Sequence, residues 1–253
     1  VRINHSKDIR ILNLEDRLNE KARGVKPPGY MEKIKGKRLF IGIPCRSNKC
    51  FIDFASSLAE SVAFLISCEV EVCIEKSVND CFVEVARNHL VNKFMKSDFT
   101  HLLMIDDDMS WNNDTICHML AEDKDFIAAA GPMKMIDDTV RFAVKNYKAS
   151  KEKVIEVDYI GGAFILLSKN CIHKLIAAYP DHYSKHYEGY GFFKMEVTPE
   201  HLITEDFYFC KLWRDLGEKV YCYTDVTFGH LGHKEWNGNY HKLLSECEEL
   251  KAL

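Results

Sequence analysis

Several catalytic signatures are missing from this chain. It has no G-x-G-x-x-G, no G-x-x-x-x-G-K-[ST], no G-x-S-x-G and no H-E-x-x-H. Dinucleotide binding, a P-loop phosphate cradle, a serine nucleophile elbow and a zinc-protease helix therefore have no support in the sequence. Ten cysteines include no C-x-x-C pair, which removes the commonest zinc and dithiol spacings. No stretch approaches the roughly 20 apolar residues of a membrane span. Residues 1–36 are charged and lack the apolar segment of a secretory signal, although the chain opens on Val rather than Met. Internal repeats and low-complexity tracts are also lacking. With 34 basic and 38 acidic side chains the net charge is only -4, so no nucleic-acid partner and no acidic tail are expected.

What remains is a chain of 253 residues, 47% of them hydrophobic, enough for one substantial core. Its cysteines are scattered, and several sit in apolar runs, Cys73 within 70–74 and Cys210 within 207–213. A chain of this length needs no covalent staples, and a free cysteine behaves as a small apolar residue. Reduced thiols in a cytoplasmic compartment are expected. Cys45 and Cys50 share a loop and form the pair to check for a bridge.

The chain divides into a charged arm, 1–37, and a single domain, 38–253. A helical apolar pattern at 9–18 is broken by Pro27-Pro28-Gly29. The arm is a candidate for packing on the body or for holding a homodimer together. Beyond it, strands are predicted at 39–43, 70–75, 101–105 and 126–130, with helices between them at 51–67, 80–95 and 112–121. That alternation predicts an α/β fold with a Rossmann-like, mostly parallel central sheet flanked by helices. The second half is less regular. A hairpin of 140–146 with 154–159 supplies a small antiparallel element, and a strand at 163–167 precedes a helix at 170–178. Residues 179–202 read as one long functional loop. A helix at 204–216 and a strand at 219–223 complete the predicted elements.

The most informative stretch is Leu102–Ile105 running into Asp106-Asp107-Asp108. In open α/β sheets ligands bind beyond the carboxyl ends of strands. On extended chain, residues two apart point the same way, so Asp106 and Asp108 are expected to converge. Hard carboxylates suit Mn²⁺ or Mg²⁺, which also bind diphosphate oxygens. A polar turn explains one aspartate well. Three in a row repel one another unless a cation is near.

An apolar strand ending in D-x-D, inside an alternating α/β first half, resembles the glycosyltransferases of the GT-A fold, over about residues 38–233. The resemblance implies a metal-dependent hexosyl- or pentosyltransferase. Such an enzyme moves a sugar from a nucleoside-diphosphate sugar, with UDP the expected nucleotide, to a hydroxyl of a glycan acceptor. Residues 38–131 would be the nucleotide-binding half and 132–253 the acceptor-binding half. Asp106 and Asp108 would hold the metal, and Asp106 and Asp107 would contact the donor.

Two further matches follow in chain order. Thr204-Glu205-Asp206 resembles the T-E-D element of inverting members, where the second acid is the catalytic base. Its alternative is a helix start, with Thr204 as cap and two acids favoured by the positive helix end. Gly229-His230-Leu231-Gly232-His233 resembles the C-terminal histidine ligand of many members and points to His230 ahead of His233. The family also places the nucleobase near Pro44 and Arg46, after the first strand. Arg87-Asn88 resembles an A-R-N element whose arginine faces the diphosphate sugar, and Gly161-Gly162 matches a strand edge beneath the donor sugar. Aromatic candidates for sugar stacking are Trp111, Tyr190, Phe192, Phe193 and above all Trp236, whose neighbours are polar. His182 and His186 share an i, i+4 spacing without further ligands.

Short members with such an A-R-N helix and a D-D-D-M turn occur in phages and large DNA viruses. A viral or bacterial glycan, with a xylose, glucose or galactose donor and a cytoplasmic location (the host's, for a virus), follows from that likeness. Two rivals are a metal-dependent nucleotidyl- or phosphotransferase, and a non-catalytic carbohydrate- or nucleotide-binding module in which Asp206 only caps its helix.

Overall fold

The structure is a computed structural model that describes residues 29–251 except 79, 138, 148 and 149, with side chains described up to 245. Expectations for residues 1–28, including the helix at 9–18 and the arm as a dimer contact, fall outside the described residues. The described end of the arm lies on the domain. There α1 (Gly29–Ile34) buries Ile34 and brings the Tyr30 ring to 4.6 Å from that of His118.

The first half alternates as its pattern predicts. The order is β1 (Arg38–Cys45), α2 (Ile52–Ser67), β2 (Glu71–Val78), α3 (Val83–Met95), β3 (His101–Ile105), β4 (Met109–Ser110), α4 (Thr115–Ala121) and β5 (Phe126–Ala129). In the second half come β6 (Val144–Lys145), β7 (Val154–Val157), β8 (Tyr159–Ile160), β9 (Phe164–Ser168) and α5 (Lys169–Ala178). The short strands β10 (Tyr183–Ser184), β11 (Gly189–Tyr190), β12 (Glu196–Val197) and β13 (Leu202–Ile203) follow. The chain closes with α6 (Glu205–Asp215), β14 (Val220–Tyr223), β15 (Thr227–Leu231), β16 (Glu235–Asn239) and α7 (Tyr240–Lys251).

Seven strands form the central sheet in the order β2-β1-β3-β9-β5-β14-β7. β2, β1 and β3 run parallel, as do β5 and β14, whereas β9 and β7 run against their neighbours. The sheet is therefore mixed but mostly parallel. Alternate side chains of each strand face opposite layers. Leu102 and Met104 join Phe94, Phe126, Phe209 and Trp213 on one side. Leu103 and Ile105 join Phe54, Leu65, Ile116 and Leu120 on the other. A strand buried on both faces reads as an unbroken apolar run, and Leu102–Ile105 is such a run.

β1 connects to β2 on one side and pairs with β3 on the other. That reversal falls at the carboxyl ends of β1 and β3, the kind of place where open α/β sheets hold ligands.

Three expectations need correction. The predicted hairpin partner of 140–146 is displaced: Val144–Lys145 pairs with Tyr159–Ile160, while β7 adds to the edge of the main sheet against β14. Residues 179–202 are not one loop, because β10 pairs with β11 and β12 with β13. The closing segment contains the unpredicted hairpin β15–β16, which joins β4 in a separate three-stranded sheet. All nine cysteines with described side chains are free, Cys45 and Cys50 included.

Candidate active site

The aspartate run does not continue the strand. Asp106 accepts a hydrogen bond from the Met109 amide (3.3 Å), so the chain turns across Asp107 and Asp108. A turn lacks the two-residue alternation of a strand, and the two outer aspartates acquire different partners. The structure thus replaces the expected convergence of Asp106 and Asp108 with two neighbouring centres.

The first centre is built on Arg87. Helix α3 carries it into the protein, where only 3% of its side chain is exposed. Its Nη1 donates to Glu205 Oε1 (2.5 Å), and its Nη2 donates to Asp106 Oδ1 (2.9 Å) and Oδ2 (3.3 Å). Burial opposes the guanidinium charge, but Asp106, Glu205 and nearby Asp206 outweigh it and raise the pKa. Glu205 is pushed up by burial and by Asp206, against the pull of Arg87.

Gly162 permits this packing. A Cβ there would lie 2.0 Å from Arg87 Nη1 and 2.5 Å from Cζ. The Gly162 amide donates to Asp206 Oδ2 (2.9 Å). Asp206 Oδ1 accepts from the Thr204 hydroxyl (2.5 Å) and the Phe207 amide (2.8 Å). Thr204 is the cap residue of α6 by position, yet its side chain makes no capping bond. Its hydroxyl orients Asp206 instead.

The second centre is Asp108 with His230. β15 pairs with β4 through His230↔Met109, and the Leu231 amide donates to the Asp108 carbonyl (2.7 Å). This register carries the imidazole alongside the carboxylate, with His230 Nε2 3.3 Å from Asp108 Oδ1. His230 Nδ1 lies 2.7 Å from the Pro132 carbonyl oxygen. A carbonyl only accepts, so Nδ1 carries the proton, and in the neutral ring Nε2 is bare. Asp108 Oδ1 is itself buried, and among the described residues no hydrogen bond reaches it unless that Nε2 is protonated. Its other oxygen accepts from Lys134 Nζ (2.5 Å). Burial alone would raise the Asp108 pKa; a protonated His230 and Lys134 reverse that and hold the carboxyl below its ordinary range. Asp107, between the centres, is raised by burial and by its aspartate neighbours despite the nearby Cys45 thiol.

An orphaned carboxylate oxygen facing a bare imidazole nitrogen fits a divalent cation that accepts N and O donors. The Nδ1–H bond to a carbonyl is the usual means of fixing a ligating tautomer. Among the described residues no three His, Cys, Asp or Glu side chains form a ready cage. The Asp108–His230 pair offers two donors and leaves the rest of a coordination shell to phosphate and water.

The remaining predicted residues scatter. Pro44 is buried near the end of β1, and Arg46 is exposed in the loop beyond. Trp236 is buried rather than free to stack, with Nε1 donating to the Met135 carbonyl (2.8 Å). Strand alternation explains this, since Trp236 pairs with His230 and shares its face of the hairpin. Trp111, Phe192 and Phe193 are buried too, and Tyr190 stacks on Phe192 at 5.5 Å. His233 is exposed in the β15–β16 turn, while His182 lies 3.2 Å from the Tyr208 hydroxyl.

Asn88 and Asn92 have a role that the sequence hid. Asn88 exchanges two hydrogen bonds with the Phe193 backbone (2.8 and 2.9 Å), and Asn92 two with that of Tyr190 (both 2.8 Å). Each carboxamide substitutes for a strand neighbour and pins residues 190–193 beside Arg87. The chain matches no family model and no curated protein.

Proposed function

We propose that the chain is a metal-dependent glycosyltransferase of the GT-A type. It would transfer a sugar from a nucleoside-diphosphate sugar to a hydroxyl of a glycan acceptor, with inversion. One observation carries the reading: the buried Asp108 Oδ1, which among the described residues only a protonated His230 would bond, lies 3.3 Å from that imidazole just beyond the end of β3. Asp206 stands at the neighbouring centre.

Asp108 and His230 would hold Mn²⁺ or Mg²⁺, which when bound supplies charge neutralisation for the departing diphosphate. Asp206 takes the proton of the acceptor hydroxyl as that oxygen attacks the anomeric carbon. Its Oδ1 is occupied by Thr204 and Phe207, whereas among the described residues Oδ2 accepts from Gly162 alone, which leaves a lone pair for the acceptor. Asp106, fixed by Arg87, faces the donor. Arg87 itself is too enclosed to serve as a free phosphate ligand, so its part is to hold Asp106 and Glu205 in place. Arg46, at the open end of β1, is available to the nucleotide.

A thermal-shift series of UDP-sugars with and without Mn²⁺ tests this reading. Stabilisation that requires both metal and nucleotide is expected. No metal-dependent shift with any nucleotide sugar would sink it.

A further inference from the structure

The loop after β5 does two things at the Asp108 centre. Pro132 lends its carbonyl to His230 Nδ1, and two residues later Lys134 places its ammonium on Asp108 Oδ2. The loop is held to its surroundings. Pro132 bridges to Phe142, the Met133 amide donates to the Arg141 carbonyl (2.7 Å), and Met135 accepts from Trp236. Lys134 is therefore delivered to the carboxylate by a secured backbone. Nothing in the glycosyltransferase resemblance assigns it a role.

We infer that Lys134 is a built-in counter-ion that occupies the cation's place on Asp108 and must leave when a divalent ion binds. The inference rests on reading Asp108 and His230 as ligands. Three facts point to it. Asp108 has one oxygen taken by Lys134 and one met, among the described residues, only by the His230 imidazole, so a divalent ion bound through both would compete for the first. Lys134 is 34% exposed against 23% for Asp108, so the lysine is the more solvent-open partner of the pair. An ammonium beside a divalent cation is repelled, and like charges a few ångströms apart in a partly buried site interact strongly. Released from Asp108, the ammonium is free for phosphate oxygens of a donor. Metal and diphosphate would then favour each other's binding, since each removes a cost that the other meets alone.

The test measures Mn²⁺ binding by loss of the free-ion electron-paramagnetic-resonance signal, at low salt and without nucleotide. The proteins are wild type, Lys134→Gln, Lys134→Arg and Asp108→Asn. Lys134→Gln should bind Mn²⁺ about tenfold more tightly than wild type. Lys134→Arg should stay near wild type because the charge is kept, and Asp108→Asn should lose the binding. A second readout is chemical acetylation of Lys134 followed by mass spectrometry. Mn²⁺ should speed it in the wild type but not in Asp108→Asn, where the lysine is already free. Equal affinity of wild type and Lys134→Gln, with Asp108→Asn still abolishing binding, overturns the counter-ion role and leaves the ligand pair standing. Absence of Mn²⁺ binding in both wild type and Lys134→Gln, or binding that survives Asp108→Asn, overturns the ligand pair and this inference with it.

Discussion

Gly162→Ala would place one methyl group where the buried arginine already is. The new Cβ would lie 2.0 Å from Arg87 Nη1, 2.5 Å from Cζ and 2.7 Å from Nη2. Real carbon–nitrogen contacts are far longer, so one side must move. Arg87 is held by Glu205 through one nitrogen and by Asp106 through the other, with 3% of its side chain exposed. Moving it strands two carboxylates, and breaking a buried pair costs about 3–5 kcal/mol. If the backbone moves instead, the Gly162 amide leaves Asp206, a loss of roughly 1.5–3 kcal/mol for a bond to a charged group. Urea unfolding should therefore show Gly162→Ala destabilised by about 1.5 kcal/mol or more, whichever side gives way. A double-mutant cycle identifies the cause. Arg87→Met is itself destabilising, but it removes the guanidinium that the methyl meets. In that background Gly162→Ala should cost less than about 1 kcal/mol. Additive costs, or a single-mutant loss below about 1 kcal/mol, would refute the steric argument.

Other outcomes follow from the same geometry. Asp206→Asn should lower glycosyl transfer by about 10²–10⁴-fold, the usual scale of a lost general base. Donor binding, measured by calorimetry, should persist; unchanged turnover would remove Asp206 as the base. Asn92→Ala leaves the Tyr190 amide and carbonyl unpaired, and the domain should lose about 3 kcal/mol in urea unfolding. Hydrogen exchange at residues 189–193 should quicken at the same time. For His101, burial and then Lys37 lower the pKa from 6.5 to about 4. The unfolded chain takes up that proton at higher pH than the folded one, so stability present at neutral pH falls as pH drops from 6.5 towards 4. The loss reaches about 3 kcal/mol at most. Unfolding curves at both ends of that window should show it, and His101→Gln should flatten the difference.

The first half of the fold was legible because a strand buried on both faces leaves an unbroken apolar run. Leu39–Ile43 and Leu102–Ile105 are such runs, and helices of ordinary length separate them. The second half was not, for a physical reason. β6, β8 and β10 to β13 are two residues long, too short to express a period, and their pairing is decided by distant partners. β16 opens with exposed Glu235, buried Trp236 and exposed Asn237, so Trp236 among polar neighbours looked exposed while its face was the inner one. The site was half legible. Asp108, His230 and Asp206 were singled out from residue chemistry and resemblance, and the fold sets Asp108 beside His230 and Asp206 against Gly162. Lys134 was missed, although a lysine just beyond the end of β5 occupies the same sheet edge as the aspartates and was open to suspicion on that ground. Asn88 and Asn92 carried a signal too: two amides spaced i, i+4 on a helix between two apolar strands have to satisfy their hydrogen bonds inward.

The charge balance of the two centres gives the acidic turn its meaning. Asp106, Asp107, Asp108, Glu205 and Asp206 lie within electrostatic reach of one another in a connected set, answered by the fixed charges of Arg87 and Lys134. The surplus is negative, and it is unevenly divided. Around Arg87 both terminal guanidinium nitrogens are used while Nε is buried without a partner, and Glu205 rises in pKa because even that arginine does not fully offset its burial. Around Asp108 the carboxyl is held below its usual range by a protonated His230 and Lys134, and with the imidazole neutral one oxygen has no donor among the described residues. A protein that needed only a stable turn would be served by neutral residues at these positions, since unpaired buried acids are costly. The arrangement suits a positive ligand that comes and goes. Lys134 holds the place at modest strength, through a partly exposed pair that solvent and salt weaken, and so leaves Asp108 open to a stronger cation.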